Sequence, residues 1–175
     1  MKITRKQPSV ATIIIAFLLG WAASYVLLLA PEPVIKPSTS SVQGVQSQVN
    51  DQHAYLYILN QERADMGLGE LTLNDKLNTS AQLKANDMQE FDYWAHVNPN
   101  GTEPWHFFEL AGYEYEVAGE VLARNFDTPA ETIAAWIASP THHDVLMGDY
   151  TEVGLGQVSY GGTTVIVGHF GVENK

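Results

Sequence analysis

Histidine and acidic side chains supply most of the chemistry open to this chain. The six histidines are His53, His96, His106, His142, His143 and His169, and cysteine is absent. Without cysteine there are no disulfides, thiol nucleophiles or cysteine-ligated zinc. No H-E-x-x-H, G-x-S-x-G or P-loop pattern occurs, so a site must be assembled from distant segments. His142 follows Ser139-Pro140-Thr141 at the end of a helical pattern, where a polar side chain can border a cleft. His96 follows Tyr93-Trp94-Ala95, an aromatic stretch expected to be partly buried. Glu120 stands between Gly119 and Val121-Leu122-Ala123, and a carboxylate beside such an apolar run is costly to bury unless it is paired. Ser139 and His142 can meet across a turn as nucleophile and base, but a solvated surface pair is the simpler reading. His96 can equally be a hydrogen-bonded core histidine.

The elements that must position these groups follow from periodicity. Asp51 to Met66 reads as a helix, with Tyr55, Ile58, Leu59 and Glu62 on one face and Gly67 and Gly69 ending it. Asn74 caps a second helix, Asp75 to about Glu90, whose buried face is Leu77, Ala81, Ala85 and Met88. Asn98-Pro99-Asn100-Gly101 is a turn, and a short helix is expected from about Glu103 to Ala111. Thr128-Pro129-Ala130-Glu131 starts a helix with a capping box and proline at the first helical position. That helix turns Ile133, Trp136 and Ile137 inward and ends at Ser139-Pro140. Glu152 to Tyr160 and Thr163 to Phe170, joined by Gly161-Gly162, form a β-hairpin. Helices followed by strands predict an α+β domain with helices on an antiparallel sheet.

This domain, residues 51–175, is expected to be preceded by three other segments. Val10 to Ala30 holds no charged residue. As a helix it is about 31 Å long, enough to cross a bilayer. Lys2, Arg5 and Lys6 precede it and keep residues 1–9 cytoplasmic, with the domain outside. A cleaved secretory signal ending near Ala22-Ala23-Ser24 is the alternative, and it would release the domain. Residues 31–50, with Pro31, Pro33 and Pro37, read as a flexible linker with a reach of roughly 25 Å. The 175-residue chain carries a net charge of −11. From Asp51 onward five Lys/Arg stand against nineteen Asp/Glu, which excludes nucleic acid and anionic lipid headgroups as partners of the domain.

Several of these segments together resemble the CAP (SCP-like) superfamily of cysteine-rich secretory, antigen 5 and pathogenesis-related proteins, in its bacterial-type branch. They are Leu59-Asn60-Gln61-Glu62-Arg63-Ala64, Leu71-Thr72-Leu73-Asn74, Trp94-Ala95-His96 with Asn98-Pro99-Asn100-Gly101, and Gly119-Glu120-Val121. Ala135-Trp136-Ile137-Ala138-Ser139-Pro140-Thr141-His142, Tyr150 to Gly156, and Gly168-His169-Phe170-Gly171 continue the match. The resemblance implies an α-β-α sandwich around a cavity lined by two histidines and two glutamates. Carried over, these are His96, Glu120 and His142, with Ser139 standing where the second glutamate is expected and Val121 replacing an asparagine.

The function that follows is an extracytoplasmic, membrane-tethered module binding a lipid, an envelope component or a protein. The alternative is a divalent-metal site with a regulatory or hydrolytic role. Two neutral imidazoles and a carboxylate from His96, Glu120 and His142 are a chemically sensible zinc set. An enzyme here would be a hydrolase using these three residues, with Glu120 or a histidine acting as general base on water. A purely structural hydrogen-bonded network of the same three is the remaining reading.

Overall fold

The structure is a computed structural model. It describes residues 3–4 and 39–174, with side chains from Asp51 onward. The expected membrane-spanning segment, residues 10–30, and the start of the linker lie outside the described residues. Among the described residues no helix is long and apolar enough to cross a membrane.

Helix α1 spans Thr39–Asp65, so it begins well before the Asp51 expected from periodicity. The later part of the expected linker is therefore helical. Beyond Pro37 that stretch holds no proline, and extending a docked helix costs far less than starting one. Tyr55 and Leu59 are buried on its inner face. Arg63, also buried, donates to the carbonyls of Gly69, Leu146, Gly148 and Tyr150, tying the end of α1 to two later segments.

A two-residue strand β1, Ile3–Thr4, pairs antiparallel at the edge of β3. Strand β2 is Thr72–Leu73 and helix α2 is Asp75–Glu90. The Asn74 side chain accepts the free N–H groups of Lys76 and Leu77 as an N-cap. Helix α3, Trp105–Leu110, precedes the long strand β3, Tyr115–Arg124. Helix α4, Pro129–Ala138, carries the expected capping box between Thr128 and Glu131. A further helix, α5, runs Pro140–Leu146 where periodicity predicts only a helix end. Pro140 stops α4 by lacking an N–H and starts α5 for the same reason. Strands β4, Glu152–Tyr160, and β5, Thr163–Glu173, form the expected hairpin, with Gly161 and Gly162 both at positive φ, 56° and 79°.

The strand order is β1-β3-β5-β4-β2. The sheet is mixed rather than antiparallel throughout, because β2 lies parallel to β4, with Thr72 opposite Glu152. No turn joins β2 to β4. The intervening chain passes through helices on both faces, and β2 enters the edge in the same direction as β4. The two faces carry separate cores. Tyr55, Leu59, Val121, Ile133, Trp136 and Phe170 pack with α1, α4 and α5 on one face. Ala81, Ala85, Met88, Leu122, Val165 and Val167 lie under α2 on the other, continuing into Leu77, Phe108, Tyr113 and Ala118 beside α3. The result is an α-β-α sandwich.

Helix α2 lies almost directly on β4. A Cβ on Gly154 would stand 2.0 Å from the Leu77 carbonyl carbon, and one on Gly156 would stand 2.3 Å from that of Ala81. The approach lets side-chain amides complete the β4 edge beyond β2. Asn78 accepts from Leu155 N–H, Gln82 both accepts from and donates to the Gln157 backbone, and Gln52 donates to the Leu155 carbonyl. An edge strand otherwise open to pairing with other chains is thereby closed.

Candidate functional site

Side chains on β3 alternate between the two cores. Val121 and Ala123 face α4 and α5, so Glu120, between Ala118 and Leu122, faces α2 and α3. Glu120 is 1% exposed and stands opposite His169 in the β3–β5 register. Each of its oxygens meets an imidazole. Oε2 accepts from His169 Nε2 at 3.0 Å, and Oε1 lies 2.5 Å from His96 Nδ1. Burial alone would raise the Glu120 carboxyl, but the hydrogen bonds from His169 and His96, with Lys84 nearby, leave it below its ordinary range. Glu120 is thus a carboxylate buried at neutral pH with a donor on each side.

His169 is fully buried, and burial pushes its imidazole below its usual value despite the opposing pull of Glu120. It is therefore neutral at pH 7. A carboxylate only accepts, so the neutral ring directs its N–H from Nε2 to Glu120, and Nδ1 accepts from Ser80 Oγ of α2 at 2.8 Å. Phe108 of α3 stacks on the ring, with centroids 4.3 Å apart and planes at 22°.

His96 is held differently. Its side chain is 41% exposed, while that of Glu120 is fully covered. Lys84, wholly buried on α2, secures the loop that carries it. The Nζ donates to the carbonyl of His96 at 2.7 Å, to that of Ala95 at 3.1 Å and to Tyr93 Oη at 2.8 Å. It also lies over the Tyr93 ring at 4.7 Å. Tyr93 in turn donates to Asp87. Burial lowers the Lys84 ammonium from its ordinary range, with Glu120 and Asp87 acting the other way. The expected turn closes the loop: Asn98 Oδ1 accepts from Asn100 N–H, and Gly101 takes φ 86°. The guanidinium of Arg124 covers the Trp94 ring at 5.1 Å.

The structure therefore brings together two of the residues expected from sequence, His96 and Glu120, and completes the group with His169 and Ser80. His142 sits half-buried on α5, a helix of the opposite layer, and no hydrogen bond joins it to Glu120. Burial, then the proximity of His96, holds its imidazole below the usual value. Ser139 lies at the α4–α5 junction, where its hydroxyl meets Thr141 Oγ1 at 3.4 Å and is not placed on His142. His169, Ser80 and Lys84 were not among the site residues expected from sequence. Lys84 stands three after Ala81 and seven after Leu77, on the buried face of α2, and a cation in that row was the available signal.

A three-ligand zinc set does not fit this geometry. Both Glu120 oxygens already accept from imidazoles, and among the described residues no three His, Asp or Glu side chains converge to hold a metal ion. The carboxylate can instead orient His96 and leave Nε2 of that ring as the outward nitrogen.

Comparisons with known proteins agree with this architecture. The family model described as "Cysteine-rich secretory protein family" matches residues 56–171. The chain is 30% identical over 131 residues to the uncharacterized protein YkwD of Bacillus subtilis, covering 74% of this chain and 51% of that protein. It is 26% identical over 125 residues to the uncharacterized membrane protein YlbC of the same organism, covering 70% of this chain and 36% of that protein. The chain thus spans about half or less of the length of these curated relatives. Among solved structures, an outer surface protein of Borrelia burgdorferi superposes with a TM-score of 0.65 at 21% identity, covering 71% of this chain and 94% of that one. An extracellular protein containing an SCP domain from Bacillus anthracis gives 0.62 at 19% identity, covering 71% and 41%.

Proposed function

Because the chain belongs to the cysteine-rich secretory protein (CAP) family, we propose that it is a membrane-tethered, extracytoplasmic binding module of the cell envelope. The observation that carries the binding reading is the pairing of His96 with Glu120. A buried carboxylate engages Nδ1 of a ring that is 41% exposed, which leaves the opposite edge of that ring, with Nε2, for a ligand. Such an edge suits a ligand that presents a hydroxyl or amide N–H, from a lipid, an envelope glycan or a protein. Neither Ser80 nor Ser139 serves that ring as a nucleophile: Ser80 is fully buried and Ser139 meets Thr141. The tether rests on the uncharged run from Val10 to Ala30 and the basic residues before it, and a curated relative is named a membrane protein.

A second reading retains zinc in narrower form, held between His96 and His142, close enough for the charge of His96 to be felt at His142. Two observations favour it: the outward nitrogen of His96 and the His142 imidazole kept neutral by burial. Glu120 would then orient His96 rather than bind the ion.

The test is a thermal-shift screen of the full chain in detergent against acyl lipids, envelope glycans and zinc, with His96→Ala in parallel. A ligand at a hundred times its Kd adds about 2.7 kcal/mol of stability. At least one compound is expected to raise the melting temperature, and His96→Ala to abolish that rise. Zinc alone doing so, with His142→Ala also removing the effect, selects the second reading. No shift with any compound, or shifts that a folded His96→Ala retains, rejects both.

A further inference from the structure

The carboxylate of Glu120 is shared between a half-exposed loop histidine and a histidine that meets no solvent. The second has no evident part in contacting a ligand, yet it is the better built of the two. Ser80 holds its Nδ1, Phe108 covers one face of its ring, and its backbone belongs to a central strand. We infer that His169, backed by Ser80, is a positioning residue for His96 and acts on it through the carboxylate of Glu120.

The chain of contacts runs in one direction. The Glu120 carboxylate can only accept, so the neutral His169 ring carries its proton on Nε2, and Nδ1, 2.8 Å from Ser80 Oγ, accepts from that hydroxyl. That N–H donates to Glu120 Oε2 at 3.0 Å and fixes the plane of the carboxylate. Oε1 is then aimed at the loop, where it accepts from His96 Nδ1–H at 2.5 Å. In the uncharged ring a proton on Nδ1 leaves Nε2 bare, so in that form the outward nitrogen of His96 is an acceptor. A loop imidazole exposed to this degree, without such a partner, samples both tautomers and more than one rotamer. The direction of His96 is therefore set two side chains away, by a residue on β5 and a serine on α2. This assignment concerns the state of His96 in the free protein and holds whichever ligand is bound.

The experiment is imidazole 15N NMR on the full-length chain in detergent micelles, with no ligand added. It compares the wild type with His169→Phe, His169→Gln and Ser80→Ala. The wild type is expected to show His96 protonated on Nδ1 and bare on Nε2. His169→Phe keeps an aromatic ring on Phe108 but removes the donor, and a several-fold rise in the Nε2–H tautomer of His96 is expected. His169→Gln supplies an amide donor to Glu120 and is expected to restore the wild-type pattern. Ser80→Ala is expected to shift the pattern part of the way. A merely structural His169 would lower the melting temperature of these variants without moving the His96 nitrogen signals. An unchanged His96 tautomer in folded His169→Phe overturns the inference. Should that variant fail to fold, the same result in Ser80→Ala does so. A wild-type His96 protonated on Nε2 also overturns it. Because no ligand enters the measurement, failure here is distinguishable from failure of the binding reading.

Discussion

Glu120 and His169 are direct partners in the β3–β5 register, and their side chains meet at 3.0 Å beneath α2 and α3. Both are fully covered, so the pair forms part of the core as well as the floor of the candidate site. A buried carboxylate is tolerable only when its oxygens are satisfied, and here each has its own donor. Stability and site geometry therefore depend on the same few bonds, and substitutions in this group should move both.

Glu120→Gln keeps the shape of the side chain but replaces one acceptor oxygen with an NH2 group. Toward His169 that group would set donor against donor in the core, and toward His96 it would force the half-exposed ring onto its other tautomer. The expected cost is about 1–3 kcal/mol, the penalty of a buried unmatched polar group. Urea denaturation measures it, and a loss below about 0.5 kcal/mol would contradict the arrangement described.

Stability should fall with acidification in two stages. The His169 imidazole lies below its ordinary 6.5 because burial disfavours its charged form. Below that pH the unfolded chain takes up a proton that the folded chain does not, so the stabilisation is complete above about pH 6.5 and declines beneath it. Glu120 lies below its ordinary 4.5 because its two histidine hydrogen bonds outweigh burial. Its contribution is present above about pH 4.5 and is lost as the pH drops through the folded-state value. Melting temperatures between pH 8 and pH 4 test this, and His169→Gln should reduce the upper stage to the part that His142 contributes while sparing the lower.

Lys84→Met fits the same buried channel without the ammonium group. It leaves the carbonyls of Ala95 and His96 without their shared donor. Destabilisation of about 1–3 kcal/mol is expected. Hydrogen exchange should show the more specific effect: amides of residues 94–98 exchanging several-fold faster, with the β4–β5 hairpin unchanged. Equal acceleration in both regions would indicate a global rather than a loop-holding role for Lys84.

The tether makes its own prediction. Protease added to spheroplasts should remove the domain, and deletion of residues 1–30 should eliminate its membrane-bound form. A domain protected from protease in spheroplasts, yet cut after lysis, would refute the proposed orientation.

Much of the secondary structure was legible because its signals are local. The Asn74 cap, the Thr128–Glu131 capping box and the Gly161-Gly162 turn each involve residues within four positions of one another. The start of α1 and the whole of α5 were missed for an equally physical reason. Neither has a strong pattern of its own, and each is carried by a neighbour: α1 by its docked half, α5 by the proline that ends α4.

From the sequence alone, four of the helices, the β4–β5 hairpin and the family could be read, and His96 and Glu120 stood out as candidates, whereas the strand β3 that carries Glu120 could not. Glu120 is conspicuous because a charge in an apolar run demands a partner, and that demand is readable without coordinates. The identity of the partner was decided by tertiary structure. His142 and His169 are both histidines distant in sequence, and nothing local separates them. Strand register puts His169 opposite Glu120 on one face of the sheet, while α5 carries His142 in the layer against the other. Hydrogen bonds act over about 3 Å, and only the pairing of β3 with β5 brings two side chains 49 positions apart within that distance.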